Sequence, residues 1–217
     1  MGEFSSSVDA IATLPLGKRR ALDDCIIRIA DIIGALLCLA ILAPILPLTA
    51  LLIRLDSRGS PIFRQKRVGK DGVVFVMYKF RTMRDDAHKL SQQFRYGNEP
   101  VVKMMNDSRI TRIGGILRKY SIDELPQFMN ILKGDMSFVG PPPCVLEEVN
   151  AYNKHQRDRL AGKPGLTGLA QINGRSDLDF DSIVRFDIHY NRNRSARFYF
   201  KILFQTIPYC LSCKSSY

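Results

Sequence analysis

The sequence predicts a mixed α/β fold: a small sheet with several helices, carried on one re-entrant membrane helix hairpin. Three observations lead there. Residues 32–53 hold no charge, between Asp31 and Arg54. A β-branched and aromatic run, Val73 to Tyr78, follows the turn signal Lys70-Asp71-Gly72. Downstream, apolar residues recur at helical spacing between Gly- and Pro-rich turns.

The chain has 217 residues, room for one sizeable core, and 46% of them are hydrophobic, which excludes general disorder. Lys+Arg 32 against Asp+Glu 21 gives a net charge of +11. That excess points to nucleic acid, an anionic membrane surface or a phosphorylated substrate. Five cysteines, an odd number, argue for a reducing compartment over a secreted disulfide framework.

The charge-free segment, as a straight helix, would be roughly 33 Å long, enough for a bilayer core. Pro44 and Pro47 near its middle each remove a backbone hydrogen bond and predict a break. Basic residues flank both sides: Lys18, Arg19, Arg20 and Arg28 before it, Arg54, Arg58, Arg64, Lys66 and Arg67 after it. A spanning helix biases its cations to one side. Cations on both sides favour a hairpin that enters and leaves by the same leaflet. A plain spanning helix and a buried core helix are the alternatives. The chain then divides into a basic segment at 1–30, the hairpin at 31–54 and a catalytic domain at 55–217.

Two short strands around Lys70-Asp71-Gly72 follow, the second delivering Lys79 and Arg81 at its exit. Residues 84–108 read as a helix and a mobile loop. Ile110, Ile113, Ile116 and Leu117 recur at helical spacing and predict the next helix. Ser121-Ile122-Asp123-Glu124 matches a capping box opening a helix through Phe128 and Leu132 that stops at Gly134. Gly140-Pro141-Pro142-Pro143 reads as a rigid turn and residues 162–168 as a loop. The C-terminal mixture of cations with Phe198, Tyr199, Phe200 and Phe204 suits either an interfacial amphipathic helix or a basic helix with one core face.

Two groups of residues carry chemistry. Asp123 and Glu124 at a helix start could supply a nucleophile or hold a divalent cation, though acidic residues are common in first turns. Lys79, Arg81, Arg118 and Arg175 lie near turns and could bind phosphate, or be ordinary surface charge. Cys210 and Cys213 lack a second Cys/His pair to complete a zinc site. No nucleic-acid-reading motif is present.

Several blocks occur in order: Arg28-x-x-Asp31, the broken apolar segment at Pro44, Phe63-Arg64-Gln65, Lys79-Phe80-Arg81-Thr82-Met83, Ser121 to Gln127, Gly134 to Pro141, Pro164 to Gly168 and Gln171 to Arg175. Together they resemble the bacterial sugar transferases, the monotopic polyprenyl-phosphate phosphoglycosyl transferases, over roughly residues 18–217.

The resemblance implies transfer of a sugar 1-phosphate, by the family's habit of a hexose, from a UDP-sugar to undecaprenyl phosphate, with release of UMP and with Mg²⁺. That is the first membrane step of exopolysaccharide, O-antigen or capsule synthesis. It implies Asp123 as nucleophile in a covalent phosphosugar intermediate, and Glu124 as its partner, both near the metal. It implies Lys79, Arg81 and Arg118 on phosphates and Arg175 near the nucleotide. The expected setting is the bacterial cytoplasmic membrane, with the active site on its cytoplasmic face among membrane lipid, and no nucleic-acid partner. Oligomeric state is not readable. Three positions depart from the family's pattern: Ala43 for a serine, Pro142 for an arginine and Ala170 for an aromatic. The alternative is therefore a weak or inactive relative that acts as a membrane-bound partner in polysaccharide assembly.

Overall fold

The computed structural model describes residues 16–84, 107, 109–174 and 178–211. Helix α1 (Leu16–Leu42) and helix α2 (Ile45–Asp56) carry the apolar segment, parted by a turn at Ala43 and Pro44. Pro44 makes the break: it cannot continue the hydrogen-bond ladder of α1, and it sits at the N-cap of α2. Pro47 makes no second break. It falls in the first turn of α2, where backbone N–H groups have no intrahelical acceptor to lose.

By length and composition Ala21–Leu42 could cross a membrane. Both arms bury one side against the body and leave much of their apolar surface uncovered. Ile29, Ile33 and Leu37 on α1 are exposed, as are residues of α2 from Leu52 at 41% to Leu55 at 74%. A surface of this kind in water would drive association.

The two arms are clasped at their bases by one α/β body. On α1, Arg28 donates to the Ile131 and Leu132 carbonyls, each at 2.6 Å. One turn on, the buried Asp31 Oδ1 accepts from Ser137 Oγ, the Phe138 amide and the Tyr199 hydroxyl. Beyond α2, Arg81 donates to the carbonyls of Ser57 and Arg58, and the Asp56 carboxylate accepts from the Ile113 amide.

Strands β1 (Ile62–Val68) and β2 (Val74–Phe80) form the expected antiparallel hairpin, with Val68 opposite Val74 and Ile62 opposite Phe80. The turn uses Asp71 at φ 55° and Gly72 at φ 81°, left-handed positions that Asp and Gly tolerate best. Phe75 and Met77 face inward against Phe128, Ile131 and Ala35. Thr111 caps helix α3 (Arg112–Lys119) by accepting from the Gly114 amide. A 3₁₀ turn (Ile122–Gln127) leads into helix α4 (Phe128–Lys133), which stops at left-handed Gly134 as predicted.

Strand β3 (Ser137–Val139) pairs in parallel with β4 (Gly165–Thr167), inside the segment read as a loop. Three-residue strands carry too little alternation to be read. Glycine marks the contact: a Cβ on Gly165 would strike the Gly140 amide, and one on Gly140 the Lys163 carbonyl. Between them lie the short helices α5 (Leu146–Ala151) and α6 (Lys154–Arg157), and after them α7 (Leu169–Ile172).

Helix α8 (Phe180–Asn193) is tied in by a buried ion pair, Asp187 with Arg159 at 2.6 Å. Helix α9 (Ala196–Leu211) has a core face with Tyr199 and Ile202 fully buried, while Phe204 and Ile207 stay exposed. It packs on α1 and β3. The core face expected of one alternative is present, with apolar residues left exposed beside it.

Candidate active site

The site forms where β2 ends and the 3₁₀ turn begins. The predicted capping box is not made. Ser121 takes φ 54° and ψ 23°, left-handed, and its hydroxyl caps nothing. Pro126 supplies the reason: an α-helical first turn needs its N–H to bond the Ile122 carbonyl, and proline has none. The turn tightens to 3₁₀, with the Glu124 amide on the Ser121 carbonyl. This presents Asp123 and Glu124 toward the strand exit.

Glu124 accepts a hydrogen bond from Lys79 Nζ at 2.8 Å, in a partly buried ion pair. Asp123 is half-buried and receives no hydrogen bond from another described side chain. Burial pushes its carboxyl up to about 6. Lys79 and Arg118 pull the other way, and the Glu124 charge adds to the rise. The Arg118 guanidinium is held by its Nε, which donates to Thr82 Oγ1 at 2.9 Å.

The structure therefore brings together Asp123, Glu124, Lys79 and Arg118. Arg81 does not join them. It is 7% exposed, and its guanidinium donates to Ser57 and Arg58 just beyond α2. Alternation alone would put Lys79 and Arg81 on one face. The difference is that Lys79 pairs within the strand, opposite Phe63, and reaches Glu124, while Arg81 lies just past the strand end, its amide on the Pro61 carbonyl and its guanidinium within reach of Ser57 and Arg58. Arg81→Ala is expected to lower stability by about 2–3 kcal/mol, while the donor KM of the folded fraction stays within about threefold. Thermal unfolding and donor titration check it; a large KM rise at unchanged stability would return Arg81 to phosphate binding.

Arg175 and Cys213 lie outside the described residues. Pro142 lies in a loop tied by the Val68–Cys144 bridge to the turn end of the hairpin. That anchor is roughly 17 Å along β2 from Lys79.

Two residues that sequence reasoning passed over hold the site. Asn130, fully buried, accepts from the Tyr78 amide and donates to the Val76 carbonyl, pinning α4 to β2. Thr82 meets Arg118. A polar residue inside an apolar helical stripe was the available signal for Asn130; Thr82 offered none.

For a cation, the donors are the Asp123 carboxylate and the Glu124 oxygens not engaged by Lys79. Among the described residues no three His, Cys, Asp or Glu side chains converge.

A half-buried carboxylate thus faces two cations on a body that holds two exposed apolar helices. Residues 22–213 match the family model described as bacterial sugar transferase, and the chain belongs to that family. It is 38% identical over 197 residues to the exopolysaccharide production protein ExoY of Sinorhizobium fredii, covering 88% of this chain and 87% of that protein. It is 44% identical over 188 residues to galactosyl transferase CpsE of Streptococcus agalactiae, covering 85% of this chain and 42% of that one. With the UDP-glucose:undecaprenyl-phosphate glucose-1-phosphate transferase of Escherichia coli it shares 41% over 194 residues, covering 83% of this chain and 39% of that protein. The chain thus spans about two-fifths of the last two relatives.

Proposed function

We propose that the chain transfers a hexose 1-phosphate from a UDP-sugar to undecaprenyl phosphate, releasing UMP. The observation that carries this is Asp123, ringed by Lys79, Arg118 and Glu124 beside the bases of the apolar arms. Relatives named for galactose and glucose transfer support a hexose donor.

Asp123 Oδ attacks the β-phosphorus of the donor. The new O–P bond forms as the P–O bond to UMP breaks, and UMP leaves as a phosphate that needs no proton. A phosphate oxygen of the lipid then attacks the same phosphorus and frees the carboxylate. Lys79 and Arg118 offset the charge on the phosphates, and the Lys79 ion pair holds Glu124 in place.

The donor set fits Mg²⁺, which commonly takes one or two carboxylates and completes its shell with water and substrate phosphates. Asp123 and Glu124 would hold it, and bound there it would neutralise the diphosphate. A cation would also relieve the burial that raises the Asp123 pKa.

The exposed arms of α1 and α2, clasped at both bases by one body, support a hairpin that enters and leaves the cytoplasmic leaflet. That setting brings the lipid phosphate to the level of Asp123. The test is UMP release by detergent-solubilised protein supplied with undecaprenyl phosphate, Mg²⁺ and a panel of UDP-sugars. Release with one hexose donor is expected. Silence with every donor, from folded protein, would shift the function to a membrane-bound partner in polysaccharide assembly.

A further inference from the structure

The exit of β2 does a second job besides presenting Lys79. Thr82, 7% exposed, is held at both ends of α3. Its carbonyl accepts the amide of Thr111, the N-cap residue, at 3.0 Å. Its hydroxyl accepts Nε of Arg118, in the last turn, at 2.9 Å. One residue reaches both because helical side chains lean toward the N-terminus, so Arg118 folds back over the preceding turn. Gly114, four residues before Arg118, makes the room: a Cβ there would strike the Thr82 carbonyl.

An arginine side chain has five N–H donors in a rigid plane. Anchoring Nε fixes the orientation of that plane and leaves the four N–H groups of Nη1 and Nη2. Among the described residues no acceptor takes them, and Arg118 lies close enough to Asp123 to lower its pKa.

We infer that Thr82 is a positioning residue for the transfer: its hydroxyl orients the Arg118 guanidinium so that both Nη groups face the donor diphosphate beside Asp123. This rests on the proposed phosphate role of Arg118. Without the hydroxyl, the guanidinium must be ordered anew at each turnover, and Nε competes for the same phosphate oxygens. A hydrogen bond to a charged group is worth about tenfold to hundredfold in rate when it is felt in the transition state.

The experiment compares Thr82→Ser, Thr82→Ala and Thr82→Val in the full chain, each also combined with Arg118→Lys, which has no Nε. The readouts are UMP release from the preferred UDP-sugar and thermal unfolding. Serine is expected to keep kcat/KM within about threefold. Alanine and valine are expected to lose about tenfold or more at melting temperatures close to the serine variant's. In the Arg118→Lys background the same substitutions are expected to cost less than about threefold further. Should valine not fold, the Ser/Ala pair, which differs by the hydroxyl alone, carries the comparison. Equal activity of Ser and Ala variants overturns the inference while leaving the phosphate role of Arg118 intact, as does an undiminished loss in the Arg118→Lys background. Near-wild-type activity of Arg118→Ala overturns that role and the inference with it.

Discussion

Asp123→Asn is expected to abolish UMP release, by at least about a thousandfold, and to leave the protein more stable than the wild type at neutral pH. The activity loss follows from chemistry: an amide cannot form the O–P bond. The gain in stability follows from linkage. Burial raises the folded-state pKa of Asp123 from 3.8 to about 6, so the folded state binds more protons than the unfolded state between those values. Stability from this group therefore falls as pH rises through that window, and the penalty is complete above about 6. Asparagine removes the charge that burial opposes. At pH 7.5 the variant should gain on the order of 1–3 kcal/mol, or several degrees in Tm. Below about pH 4 both proteins are neutral at this position and the difference should close.

Melting curves at several pH values check this. A variant that melts with or below the wild type at pH 7.5 would show Asp123 to be well compensated in the folded protein, against the burial argument. In the proposed reaction the same group is expected to set the acid limb. In the free enzyme the nucleophile must be ionised, so kcat/KM for the donor should rise with pH through about 6. A cation bound beside Asp123 would move that limb to lower pH, so titrating Mg²⁺ should shift it.

Legibility differed by scale. The broken apolar segment, the β-hairpin and the Gly134 stop were all readable, because proline, glycine and alternation act locally. The Asp123–Glu124 pair and two of its cations, Lys79 and Arg118, were visible as residue types in the right order. The geometry that joins them was not. A capping box is a local pattern, and here Pro126, outside the four-residue match, overrode it by removing one N–H. Arg81 looked like Lys79 because both are cations at a strand exit, and only the tertiary position of Ser57 and Arg58 separates them. The β3–β4 pair was hidden for a related reason: its stability comes from the close approach of Gly140 and Gly165, residues that read alone as loop. What the sequence conveys poorly is which of several similar side chains the long-range packing leaves free.

The join between hairpin and body yields the largest stability prediction. Asp31→Ala is expected to destabilise the protein by about 3–5 kcal/mol. Asp31 is 2% exposed, and its Oδ1 takes hydrogen bonds from Ser137 Oγ at 3.0 Å, the Phe138 amide at 3.0 Å and the Tyr199 hydroxyl at 2.8 Å. Those donors come from β3 and α9, so one carboxylate locks α1 to two elements of the body. Alanine strands three donors and opens space beside the fully buried Tyr199. Asp31→Asn keeps an acceptor oxygen for these donors and should recover at least half of the loss. The measurement is thermal unfolding in detergent with limited proteolysis at residues 57–61, the junction beyond α2. If the arm is a passive anchor, alanine will change neither. If the clasp works as the geometry indicates, Asp31→Ala will lower Tm by roughly 6–20 °C. It should also reduce activity at temperatures where the protein stays folded, because Arg28, one turn before Asp31, caps the far end of α4, the helix that follows the dyad. The coupling between α1 and the site then lies in that helix, and Asn against Ala at position 31 separates it from simple unfolding.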